Sequence, residues 1–317
     1  MLKPGPLRPH RSSPASGFTL AELTIALVLL GLVLGATMTV LVRQQKFYRS
    51  AGQISEVRDQ LRQAIGAIPA DLRGVSPGGN DFYALSDRSI EFRAVMGSAI
   101  ICQITSPTDF LIPPLQLANG NTLTVWSSAP EVGDSLFVYD NGPPARWDSL
   151  SISSITAVTG ANGCPVASGF VQAADQANAS YRITVPAGGP LAATVLNGAP
   201  IRFFRRAHYE LYQATGGDWY LGYYDCRAGR SPVCNPLQPL AGPYRAYSSA
   251  APGTSGLLFS YFDDNGAALA ASSASRPNVR RVQLSVRGQA EQVEISGMPK
   301  GTYNDSLVVS VGVRNRQ

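Results

Sequence analysis

Glu22 is a carboxylate at the mouth of an otherwise unbroken apolar segment, and its setting demands a chemical explanation. From Leu23 to Val42 the sequence LTIALVLLGLVLGATMTVLV carries no charge. As a helix rising about 1.5 Å per residue, such a run crosses roughly 30 Å of hydrocarbon. A carboxylate within a span costs roughly 2.5–3.5 kcal/mol on insertion scales and normally has a partner. No lysine or arginine lies within a helical turn or two of Glu22. Cutting the chain between Gly17 and Phe18 would create an α-amino group four residues before it. That amine would lie one turn away on the same helix face, or within reach from a neighbouring chain. The chemistry is charge pairing, enabled by proteolysis.

The remaining reactive residues point elsewhere. The four cysteines are Cys102, Cys164, Cys226 and Cys234; none forms a CxxC pair, and His208 is the one histidine beyond residue 17. A zinc site needs about four clustered Cys or His ligands, so no metal is expected. An even cysteine count outside the cytoplasm reads as two disulfides, for which three connectivities are open. A bridge from Cys226 to Cys234 would close the short loop RAGRSPV and leave Cys102 to pair with Cys164. A Ser-His-Asp hydrolase would have to use His208, but no G-x-S-x-G elbow occurs, and a lone strand histidine reads as structural. No catalytic residue and no cofactor are assigned, and the chain is not expected to be an enzyme. Asp263, Asp264 and Asn265 lack the D-x-[DN]-x-[DN]-G spacing of a calcium loop and read as a turn. Arg202, Arg205 and Arg206 lie among Phe203, Phe204 and Tyr209, as in single-strand stacking platforms. A solvated strand face beside a core explains them as well. The formal charge of +5 falls towards neutrality once Lys3, Arg8 and Arg11 are removed, so a nucleic-acid partner is disfavoured.

These groups need elements to position them. With 15% charged and 44% hydrophobic residues, the 317-residue chain can bury a core; 31 Gly and 23 Pro favour a loop-rich β protein. The apolar run is long for a cleaved signal, and Leu34-Gly35-Ala36 is a poor A-x-A site, so the span is expected to be retained. Cationic residues flank it on both sides and leave its orientation open. Gly31 and Gly35 form a small-xxx-small pair suited to close helix packing. Ile54, Val57, Leu61, Ile65 and Ile68 recur every three or four residues, predicting an amphipathic helix over about 52–68 that ends near Pro69. Ser76-Pro77-Gly78-Gly79 reads as the loop after it. From about residue 80, alternating runs such as 89–95, 281–287 and 307–313 predict strands in one or two antiparallel sheets. The expected class is α+β: a long N-terminal helix packed on an antiparallel β-rich head.

Gly17-Phe18-Thr19-Leu20-Ala21-Glu22, preceded by a basic leader and followed by the apolar run, resembles a type IV prepilin. The resemblance implies a leader over 1–17, a pilin helix over 18–68 with its span at about 18–42, and a head over 80–317. It implies cleavage after Gly17 by prepilin peptidase, N-methylation of Phe18, and pairing of Glu22 with a neighbour's N-terminal amine to set register during assembly. Residues 259–266, 311–315 and 132–139 are similar to PilW-type minor pilins and J-type minor pseudopilins. The length favours the former over the smaller pseudopilin. The partners implied are prepilin peptidase, other major and minor pilins or pseudopilins, and an inner-membrane assembly platform. The protein would be held by a single pass in the cytoplasmic membrane, head in the periplasm, before joining the filament. The implied role is a structural subunit of a type IV pilus, acting at the tip in initiation. A type II secretion pseudopilin and a tip adhesin or DNA-binding subunit are the alternatives.

Overall fold

The structure, a computed structural model, describes residues 17, 19–229, 231–293 and 301–313. Helix α1 runs uninterrupted from Leu20 to Leu72, and its two halves obey different rules. Up to Val42 its side chains are apolar on every side and exposed, as Leu23, Ile25, Leu30, Leu32 and Val40 illustrate. A helix apolar all round belongs in lipid or inside a bundle. Among the described residues it is the one helix long and apolar enough to cross a membrane. From Ser55 the burial becomes one-sided: Val57, Leu61, Ala64, Ile68 and Leu72 are buried, whereas Arg58, Asp59, Arg62 and Gln63 are exposed. The stripe differs from expectation in one respect: Ala64 is fully buried, while Ile54 and Ile65 are only half-buried.

The helix also outruns its expected end. Pro69 removes its own N–H donor, but the last turn still closes, with the Arg73 N–H donating to the Pro69 carbonyl at 3.3 Å. Leu72 is fully buried and holds that turn. The expected loop after it contains a 3-10 turn, Pro77–Gly79.

Among the described residues, sixteen strands build the head. In chain order they are β1 (Phe82–Leu85), β2 (Ser89–Ile100), β3 (Gln103–Ser106), β4 (Asp109–Ile112), β5 (Val125–Trp126), β6 (Ser135–Asp140), β7 (Arg146–Ser151), β8 (Ser154–Val158), β9 (Ser180–Thr184), β10 (Pro200–Gln213), β11 (Trp219–Cys226), β12 (Gln238–Tyr244), β13 (Leu257–Phe262), β14 (Ala268–Leu269), β15 (Arg281–Val293) and β16 (Gly301–Gly312). They form three sheets, one more than the upper expectation. The largest has the order β1-β2-β10-β11-β12, with β5, β6 and β7 attached; the others are β14-β13-β15-β16 and β3-β4-β9-β8. The expected class, α+β with antiparallel sheets, is what the structure has. Asp264-Asn265 is the expected turn: Asp263 Oδ1 accepts from the N–H groups of Asn265 and Ala267 at 3.0 and 2.8 Å.

Residues 55–72 of α1 pack on the first two of these sheets. From the first, Tyr244 Oη donates to the Gln60 carbonyl at 2.7 Å, and Tyr209 Oη to Asp71 Oδ2 at 2.6 Å. On the other, Gly288 lets β15 close on the helix; a Cβ there would stand 2.5 Å from Val57 Cγ1. A second core, including Ile101, Phe110, Leu136, Ile183, Ile201 and Phe203, joins the largest sheet to β3-β4-β9-β8.

Asp71 is a misfit within this packing. Burial holds its carboxyl above the usual range, although the Tyr209 hydrogen bond pulls the other way. It also lies in the last helical turn, where the dipole disfavours negative charge. The native chain therefore holds this proton more tightly than the unfolded chain. The Asp71 contribution is most favourable below the unfolded value near 4, weakens as pH rises through the raised native pKa, and is least favourable above it. Asp71→Asn keeps an acceptor for Tyr209. We expect a thermal midpoint roughly 2–4 °C higher at pH 7 and unchanged near pH 3, measured by circular dichroism in detergent.

Candidate functional site

The start of α1 carries the first candidate site. Thr19 is the N-cap, and Glu22 reaches back to it: the Thr19 N–H donates to Glu22 Oε2 at 2.9 Å and the Thr19 hydroxyl to the same oxygen at 3.0 Å. The Glu22 N–H in turn donates to Thr19 Oγ1 at 3.3 Å, completing a capping box. Glu22 thus has hydrogen-bond partners within its own chain, although Thr19 brings it no counter-charge. The T-x-x-E spacing that announces a capping box is present in the sequence. The carboxylate is nevertheless exposed, and Oε1 takes no part in the box.

Further along, the polar side chains of the span turn inward on the helix. The Thr24, Thr37 and Thr39 hydroxyls donate to the carbonyls of Ala21, Val33 and Gly35 at 2.9, 2.7 and 2.8 Å. Such internal bonding suits a segment surrounded by hydrocarbon. Among the described residues, a Cβ placed on Gly31 or Gly35 would meet nothing within 4 Å, so that face has room for another helix. Gly17 is exposed. Phe18 and the leader residues 1–16 lie outside the described residues.

The second constellation lies where β10 changes partners. Its Ile201–Phe204 stretch pairs with β6 and its Arg206–Gln213 stretch with β11, and Arg205 lies at the fork. The guanidinium donates from Nε to Asp134 Oδ1 at 2.9 Å and from an Nη to Asp134 Oδ2 at 2.7 Å. Its remaining donors reach Ser128 Oγ and the Ala129 carbonyl, both at 3.1 Å. The Asp134 side chain is fully buried and that of Arg205 is 8% exposed. Asp225 lies 3.6 Å from Arg205, and Arg227 pairs with Asp225 at 2.7 Å and with Glu131. Gly133 has φ +87°, and a Cβ there would collide with the Ala228 carbonyl, so only glycine lets these loops touch.

Strand register separates the three arginines that stand close together in sequence. Arg205 shares the buried side of β10 with Phe203 and Tyr209 and is committed to the ion cluster. Arg202 and Arg206 face the other way, Arg202 over the Trp147 ring at 4.7 Å and Arg206 over Tyr83 at 4.6 Å. The continuous basic–aromatic stretch of the sequence is therefore split between two faces. A solvated face beside a core describes Arg202 and Arg206 and fails for Arg205. His208 stacks on Tyr224 at 4.3 Å, with Glu210 at 3.3 Å and Glu91 at 3.8 Å. Burial pulls the imidazole pKa down, but the Glu210 hydrogen bond and the charges of Glu210 and Glu91 outweigh it and leave it raised. This is a buried strand histidine facing two carboxylates.

The cysteines pair as Cys102–Cys164 and Cys226–Cys234, the connectivity favoured by the short RAGRSPV loop. The second bridge joins the end of β11 to the loop that carries Arg227, and so adjoins the ion cluster.

A scan against protein-family models and searches of curated proteins and solved structures found no match to this chain.

Proposed function

We propose that this chain is a minor pilin-like structural subunit, cut between Gly17 and Phe18 by prepilin peptidase and methylated on Phe18. It is then recruited through α1 into a type IV pilus. The observation that carries the reading is the pairing of an exposed carboxylate at the first turn of α1 with an apolar surface that continues to Val42. In this reading the apolar helix leaves the bilayer for a bundle of comparable apolarity. Axial register is then rewarded by the Glu22 carboxylate meeting the α-amino group of a neighbour. A charge-assisted bond in such a medium is stronger than one at a wet surface. The head waits in the periplasm until an inner-membrane platform adds the subunit to other pilins, at or near the filament tip.

Processing gives a direct test. Intact-mass and N-terminal sequencing of the membrane-extracted protein should find a chain beginning at methylated Phe18. A Gly17→Val variant should accumulate at precursor mass, with cleavage down at least tenfold. An isolated chain starting at Met1, or beyond Val42, would overturn the proposal.

A further inference from the structure

We infer that the open edge of β16 is a docking strand for an extended acidic segment of a partner polypeptide, which would add to the β14-β13-β15-β16 sheet and set a carboxylate against Arg73. An unpaired edge is a template for any extended chain, and folded proteins usually blunt it. Arg276 donates to the β1 carbonyl of Tyr83 at 2.7 Å. Strand β12 contains Pro239 and Pro243. On β3 the Ile104 N–H is taken by Asn197 Oδ1 at 2.9 Å. Strand β7 bears Arg146 and Asp148, β8 is five residues long, and β5 and β14 are two residues each.

Among the described residues, strand β16 has none of these devices and no neighbour on its outer side. It is twelve residues long, ends its sheet and contains no proline. Its one charge, Asp305, is turned aside to Arg58 at 3.3 Å, which leaves the edge itself free of charge. The Val313 N–H donates to the Arg280 carbonyl just before β15. By antiparallel alternation, Ser306, Val308, Ser310 and Gly312 then turn their N–H and C=O groups to the open side.

The end of this edge forms a cleft bounded by Arg73, Gly74 and the consecutive residues Val309–Gly312. Consecutive strand residues point to opposite faces, so a cleft that all four line must run along the backbone edge. Arg73 is exposed, and no carboxylate among the described residues pairs with it. A row of free backbone groups ending at an uncommitted guanidinium suits an extended segment with an acidic side chain at that end. The inference does not depend on the filament reading.

The probes are two end-capped peptides, Thr-Val-Thr-Val-Glu-Val-Thr and the same sequence with Gln for Glu, titrated against the full chain in detergent micelles. Fluorescence anisotropy gives affinity, and hydrogen exchange read by mass spectrometry locates the contact. We expect saturable binding of the acidic peptide, at least about tenfold tighter than its Gln counterpart, with slowed exchange over 306–312. Arg73→Gln should erase the difference between the peptides. Ser310→Pro removes an outward N–H without touching the β15 ladder and should abolish binding of both; Ser306→Pro is the substitute if that variant does not fold. The inference is overturned by failure of the peptides to bind or to protect this edge, or by undiminished binding to the proline variant. Self-association of the peptide-free chain that the proline variant abolishes would assign the edge to a second copy and overturn it equally.

Discussion

Under the proposed pilin role, replacing Glu22 with glutamine should remove this chain from filaments as completely as replacing it with alanine. The capping box makes this the informative substitution. Glutamine still accepts from the Thr19 N–H, because S/T-x-x-Q closes the same box as S/T-x-x-E. If capping the first turn were all that Glu22 does, Glu22→Gln would be silent, and Glu22→Ala would lose about 1 kcal/mol of helix stability. Neither change would prevent insertion, because the twenty uncharged residues Leu23–Val42 remain. If Glu22 instead pairs with an incoming α-ammonium group, glutamine lacks the charge the pairing needs. A hydrogen bond to a charged group contributes about 1.5–3 kcal/mol, which at each addition step is roughly tenfold or more in the assembly equilibrium. Immunoblots of sheared filaments against membrane fractions would measure both. The expected result is a loss of at least tenfold from the filament fraction for either variant, with the chain still inserted and cut. Normal incorporation of Glu22→Gln would leave Glu22 as a helix cap alone.

The second large effect concerns the head. Arg205→Met should destabilise it by about 3–5 kcal/mol, the range for breaking a buried ion pair by removing one partner. Asp134 would keep a fully buried carboxylate facing no cation it directly hydrogen-bonds, since Arg227 Nε lies 3.7 Å away. For a unit of this size the loss corresponds to a drop of about 10 °C in thermal midpoint, readable in detergent by circular dichroism. Changing both partners, Arg205→Met with Asp134→Leu, should recover most of the loss, because the desolvation penalty of both charges disappears together. A single-variant shift below about 2 °C, or a double variant no better than the single, would show that the cluster is solvated and energetically minor.

The same cluster marks where the sequence stops being informative. Period-two alternation in 89–95, 281–287 and 307–313 and helical spacing over 54–68 are local signals, and each becomes the expected element. The apolar half of α1 was legible because twenty uncharged residues in a row form a helix long enough to cross a bilayer. The cysteine pairing was half legible: a short loop favours one bridge, and the other follows by remainder. Helix α1 passing Pro69 was not, because burial of Leu72 against the head outweighs a missing donor in the last turn.

What the sequence determined by itself is the apolar span, the Thr19–Glu22 spacing that caps it, and the strand-rich character of everything after it. Tertiary structure alone decided that Arg205 enters the interior while Arg202 and Arg206 stay out, that Asp71 is half-buried against Tyr209, and that among the described residues β16 is left without a neighbour. The physical reason is range. Propensity, capping and period act over a few residues, whereas the side of a strand that is buried, and the edge that stays open, depend on pairings between segments as far apart as β2 and β10.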